Sequence, residues 1–82
     1  MEIQSLNTAI NNILDNLFSS YVENVNSISN LYDHIVCSVE YVLICRVLQE
    51  TSFNKTAAAQ VLGISRTTLS NKIAKYNILT DE

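Results

Sequence analysis

Apolar residues recur along the first part of the chain at alternating spacings of three and four. Ile3, Leu6, Ile10, Ile13 and Leu17 form this seam, and Leu14, Phe18 and Val22 widen it. Such a period lays side chains along one face of an α-helix. Asn11, Asn12, Asp15, Asn16 and Ser19 fall on the opposite, polar side. The pattern predicts a first helix from about Ser5 or Asn7 to Val25, then a connector rich in capping residues up to Asn30.

A second helix is predicted over Leu31–Glu50, with Ser29 or Asn30 as cap and Asp33 suiting the positive end of the helix dipole. Its middle, from Ile35 to Leu48, is apolar on nearly every face. A helix that is apolar all round must be covered all round. One neighbouring helix and a small C-terminal unit cover about half of it. The expectation is therefore an obligate, intertwined homodimer, with the first two helices of both chains forming a four-helix core. Size points the same way, because a lone domain of 82 residues buries only about 60–65% of its unfolded surface.

The C-terminal third carries a different pattern. The chain's one glycine, Gly63, separates two short amphipathic segments, Lys55–Leu62 and Arg66–Tyr76. Ala59 lies four positions before it and Leu69 six positions after. The small residue lets two helices approach, the glycine supplies a left-handed turn, and the leucine fills the angle between them. This spacing predicts a helix-turn-helix, whose second helix typically enters the DNA major groove. Asn54 and Ser65 are placed to cap the two helices, Ser65 by accepting the Thr68 amide. Asn77 suits a left-handed C-terminal position, with Ile78 folding back. Ala58, Ala59, Leu62, Gly63, Ile64, Leu69 and Ile73 are assigned to packing.

Composition agrees with an all-α fold of four helices per chain, since there is no proline and a single glycine, which sits in the turn. Net charge is −3, but unevenly spread. Residues 1–45 hold five acids and no Lys or Arg, residues 46–76 stand at +4, and Asp81 and Glu82 close the chain. Phosphate attraction is local, because screening sets in within about 10 Å at physiological salt. A basic segment can thus bind DNA on an acidic protein, with the acidic remainder pointing away.

Other chemistries find little support. Cys37 and Cys45 are eight apart on one predicted helix, a separation of about 12 Å that no disulfide spans. Free buried thiols in a reducing cytosol are expected. His34 and Cys37 could meet their copies across a two-fold axis as zinc ligands, but an exposed histidine and a buried thiol explain them more simply. No cofactor, metal site, small-molecule substrate or catalytic constellation is expected, so the chain does not read as an enzyme. No secretory signal is visible. The longest apolar run, Tyr41–Cys45, has five residues where a membrane span needs about twenty.

Asn54, Thr56, Ala57, Ala58, Leu62, Gly63, Ile64, Arg66, Thr68, Leu69, Lys72 and Tyr76, with the upstream run Leu31–Val36, resemble the Fis family of bacterial nucleoid-associated, DNA-bending proteins. The resemblance covers about residues 5–78 and is strongest over 48–76. It implies one Fis-like domain over 1–82, with dimerisation helices over about 5–51 and the helix-turn-helix over about 54–76. It also implies a homodimer whose two recognition helices sit closer than one DNA turn, so that binding bends the duplex. Specificity then comes largely from deformability, favouring A/T-rich double-stranded DNA, and the protein is expected in the cytoplasm, on the nucleoid.

Roles follow by matching positions. The resemblance implies that Arg66 meets a base edge, a guanine acceptor. Asn54, Thr56, Ser65 and Thr68 meet phosphates through side chains and helix N-terminal amides. Lys72 and Lys75 meet flanking phosphates, and Asn71 faces DNA.

Three features depart from the family. Ser70, Asn71 and Ala74 stand where the family is richer in cations, which implies weaker binding and a shallower salt dependence. Phe53 stands where the family often has glycine; a positive φ is costly for phenylalanine, so the turn between the second and third helices is expected to be built differently. Few residues precede the first helix, too few for the N-terminal hairpin with which stand-alone members activate DNA invertases. Two other readings fit the same residues, a dimeric interaction module with little DNA affinity and the DNA-binding end of a larger transcription activator. The Met just before the first helix favours the stand-alone protein over the second of these.

Overall fold

The computed structural model describes residues 3–21 and 29–80. Four helices occur among them, α1 (Ile3–Tyr21), α2 (Leu31–Glu50), α3 (Lys55–Leu62) and α4 (Arg66–Tyr76). The all-α class is as expected. The bounds of the last three helices coincide with those read from the sequence. The chain divides into two compact units, Met1–Leu31 and Tyr32–Glu82.

In the first unit, α1 begins at Ile3, before the Ser5 or Asn7 start expected from capping. Ser5 is a mid-turn residue here, since the apolar period already begins at Ile3 and capping preference is a weak prior beside it. The expected end at Val25 lies outside the described residues. Ile3, Leu6, Ile10 and Ile13, the seam of the helix, are all exposed in the single chain.

The second unit is built on α2. Only Ile44 and Leu48 on this helix are buried, and they pack with Ala58, Ala59 and Leu69 into the core. Val47, Phe53, Leu62, Ile64, Ile73 and Ile78 close around that centre. Ala58, Ala59 and Leu69 do the packing expected of them, while Gly63 is exposed in its turn. Much of the rest of α2 is exposed. Val39 is 55% exposed, Val42 62% and Leu43 47%, and Tyr32, Val36 and Tyr41 are exposed as well. The two cysteines are free but half-buried, not buried. Before α2, Asn30 takes a left-handed φ of 59°, unlike the extended conformation of an N-cap.

The turn from α2 to α3 corrects one expectation. Phe53 takes φ 62° and Ser52 φ 54°, so the left-handed geometry survives without glycine. Two interactions hold it there. The Phe53 N–H donates to Leu48 O at 2.7 Å, closing the end of α2. Its ring packs against the core, which offsets a backbone cost of about 1–2 kcal/mol. Thr51 adds a hydroxyl bond to Val47 O at 2.9 Å.

Candidate nucleic-acid interface

Both short helices start on capped ends. Asn54 is extended (φ −82°, ψ 104°) and its side chain accepts the Ala57 N–H at 3.0 Å. Gly63 turns the chain at φ 75°, donating to Ala59 O at 2.9 Å, while Ile64 N–H reaches the same carbonyl at 3.1 Å. Ser65 then caps α4, its Oγ accepting the Thr68 N–H at 3.0 Å and donating to Thr68 Oγ1 at 2.8 Å. At the far end Asn77 is left-handed (φ 54°), and Ile78 N–H returns to Ile73 O at 3.0 Å.

The turn sets the first turns of α3 and α4 side by side. Arg66 Nη1 donates to Thr56 Oγ1 at 3.3 Å across that edge. Asn54, Thr56, Ser65, Arg66 and Thr68 are all exposed. The first amides of a helix lack intrahelical acceptors and carry the positive end of its dipole. This edge therefore offers N–H donors, hydroxyls and one guanidinium to an anion outside the protein. Asn71 is exposed farther along α4. Lys75 is exposed at its end, with Nζ 5.2 Å from the Tyr76 ring centroid.

Lys72 is elsewhere. Leu69, Lys72, Ile73 and Tyr76 recur at helical spacing on the inner face of α4, and all are buried or half-buried. Lys72 Nζ donates to Glu40 Oε2 at 2.8 Å, and Tyr76 Oη donates to Glu40 Oε1 at 2.5 Å. Each oxygen of the carboxylate thus has its own donor, and the two donors lie one turn apart on α4. The Lys72 bond, and after it the Tyr76 bond, holds the Glu40 carboxyl below its ordinary range. In return the acceptor on Glu40, followed by Cys37, pushes the Tyr76 phenol up. The Tyr41 ring meets Tyr76 edge-on, with centroids 6.2 Å apart at 75°.

Sequence reasoning placed Lys72 with the phosphate contacts and missed Glu40. The available signal was small, a single charged residue between Ile35 and Cys45. A carboxylate so placed calls for a cationic or hydroxyl partner on whichever helix crosses it.

Residues 37–76 match the family described as bacterial regulatory protein, Fis family. Over 73 residues the chain is 36% identical to DNA-binding protein Fis of Proteus mirabilis (strain HI4320), spanning 89% of this chain and 72% of that protein. The same figures hold for DNA-binding protein Fis of Yersinia enterocolitica serotype O:8 / biotype 1B. Over 60 residues it is 38% identical to DNA-binding protein Fis of Buchnera aphidicola subsp. Acyrthosiphon pisum (strain 5A), covering 71% of this chain and 61% of that one. The chain belongs to the Fis family. The Fis match runs from Cys37 to Tyr76, so it takes in Glu40 and both of its partners as well as the helix-turn-helix. Among the described residues no helix is long and apolar enough to cross a membrane, and no cluster of three or more His, Cys, Asp or Glu could hold a metal.

Proposed function

We propose that this Fis-family protein is a sequence-tolerant DNA-binding and DNA-bending regulator of the nucleoid. It acts as a homodimer that sets two α4 helices in adjacent major grooves of A/T-rich duplex. The carrying observation is the exposed edge formed by the first turns of α3 and α4, where Arg66 and Thr56 meet. Arg66 is the base-edge residue. Asn54, Thr56, Ser65 and Thr68 receive phosphate oxygens with the helix-end amides. Asn71 faces the groove and Lys75 takes a flanking phosphate. Lys72 serves the protein's own carboxylate instead. The work is binding, with no catalytic step.

The homodimer is supported by the bare apolar surface of α2 and by the exposed seam of α1. An exposed apolar surface of this extent marks an association face. Residues 1–82 act as one Fis-like domain, with α1 and α2 as scaffold and α3 and α4 as reader.

A second reading is a dimeric interaction module with little DNA affinity. It is favoured by the pairing of Lys72 with Glu40, which withdraws a cation from an edge already poor in them. A fluorescence-anisotropy titration with A/T-rich duplex at moderate salt separates the two. Micromolar or tighter binding that weakens in Arg66→Ala supports the first, and millimolar binding indifferent to Arg66→Ala supports the second.

A further inference from the structure

We propose that Glu40 is a positioning residue for DNA bending, clamping the C-terminal half of α4 to α2 through Lys72 and Tyr76 and so fixing the angle at which α4 is offered to the groove. The inference rests on the DNA-binding reading above and concerns a residue outside the helix-turn-helix.

The lever is visible in where α4 is held. Leu69, near its start, is fully buried and acts as a pivot. Tyr76 lies seven residues on, about 10 Å farther along the axis at 1.5 Å per residue. Between them Ile73 is only half-buried. Ile73 and Ile78 pack against the core on that half, and Glu40 adds its polar tie to α2, with the edge-on contact of Tyr41 and Tyr76 beside it. A carboxylate taking two donors one turn apart resists both tilt and roll, because either motion lengthens one of the bonds.

The same geometry turns Lys72 toward the protein's own carboxylate. Its Nζ is 2.8 Å from Glu40 Oε2, and its side chain lies on the inner stripe with Leu69 and Ile73. Reaching a phosphate would mean abandoning a carboxylate held below its ordinary pKa. In the proposed dimer α2 belongs to the scaffold of both copies. A change of α4 angle in each copy then alters the separation of the two recognition helices twice over, which the bend of the duplex reports.

The test uses the full chain in four forms beside the unmodified protein. These are Glu40→Gln, Lys72→Met, Tyr76→Phe and the charge-reversed pair Glu40→Lys with Lys72→Glu. Thermal melting and circular dichroism establish that each is folded. Gel shifts on circularly permuted A/T-rich fragments read affinity and bend, and anisotropy at several salt concentrations reads the salt slope. Each single variant is expected to lower affinity about three- to tenfold, as the fraction of correctly angled α4 falls, and to change the bend. The slope of log Kd against log salt should not move. The charge-reversed pair should recover both affinity and bend. A salt slope flattened by about one in Lys72→Met overturns the clamp, since it makes Lys72 a phosphate ligand. Wild-type affinity and bend in both Glu40→Gln and Tyr76→Phe overturn it too. If the unmodified protein binds no duplex, the DNA-binding reading fails and takes this role with it. If it binds and bends while the variants match it, the clamp alone fails.

Discussion

Arg66 reaches back from the first turn of α4 to the Thr56 hydroxyl in the first turn of α3, at 3.3 Å. The bond crosses the helix-turn-helix on its exposed side and limits the freedom of a long side chain before any ligand arrives. A guanidinium restrained in this way loses less entropy when it docks on a base edge. Arg66→Ala is expected to reduce specific DNA binding by about 1–3 kcal/mol and to relax sequence preference. Thr56→Ala should weaken binding less and leave preference intact. Anisotropy titrations with preferred and scrambled duplexes check both, and full affinity with full preference in Arg66→Ala removes its assigned role.

The scaffold makes a separate prediction. Val42 is 62% exposed in the single chain, in the middle of a helix whose other faces are also apolar. A carboxylate there would lie within the proposed dimer core, where an unpaired charge is strongly disfavoured. Val42→Asp should abolish either dimerisation or folding. Sedimentation equilibrium with far-ultraviolet circular dichroism reads the two outcomes. A folded, dimeric Val42→Asp would place the interface on another face.

Backbone strain gives a pair of opposite effects. Gly63 has φ 75°, and a Cβ added there would meet nothing within 4 Å. Gly63→Ala therefore carries only the conformational penalty, a loss of about 1 kcal/mol. Ser52 has φ 54° and an exposed side chain. Ser52→Gly should relieve strain and raise stability by about 0.5–1 kcal/mol. Urea denaturation of the two variants beside the unmodified protein decides the signs, and a stabilised Gly63→Ala would be inconsistent with this turn geometry.

The Glu40 clamp has a pH window. The folded carboxyl lies below the ordinary 4.5, so its contribution is complete above about pH 4.5 and is lost as pH falls through the lower folded value. The Tyr76 phenol is raised above its ordinary 10.0, so its contribution is complete below about pH 10 and is lost as pH rises through the higher folded value. The melting difference between the unmodified protein and Glu40→Gln should be flat from about pH 5 to 9 and shrink below pH 4.5. A difference that grows on acidification would contradict the clamp.

Much of this molecule is legible in its sequence, for local reasons. Asn54, Gly63, Ser65 and Asn77 each hold a conformation or a capping bond that few residue types supply, so they mark the bounds of α3 and α4. The apolar girth of α2 announces the apolar surface that stays exposed in the single chain. What could not be read is non-local. Glu40 and Lys72 are 32 residues apart, and only the crossing of α2 and α4 makes them partners. The motif position of Lys72 said that a cation stands there, not which way it faces. Phe53 misled for a related reason. The steric penalty for positive φ was sound, but the core contacts of its ring and the bond to Leu48 outweigh it.

A gel-shift series on circularly permuted A/T-rich fragments is the decisive measurement, because binding and bending are read together. A bending homodimer gives one retarded species, with the stoichiometry of a dimer, whose mobility depends on the position of the site within the fragment. Retardation that is independent of site position, or none at concentrations where the protein is dimeric, would contradict it.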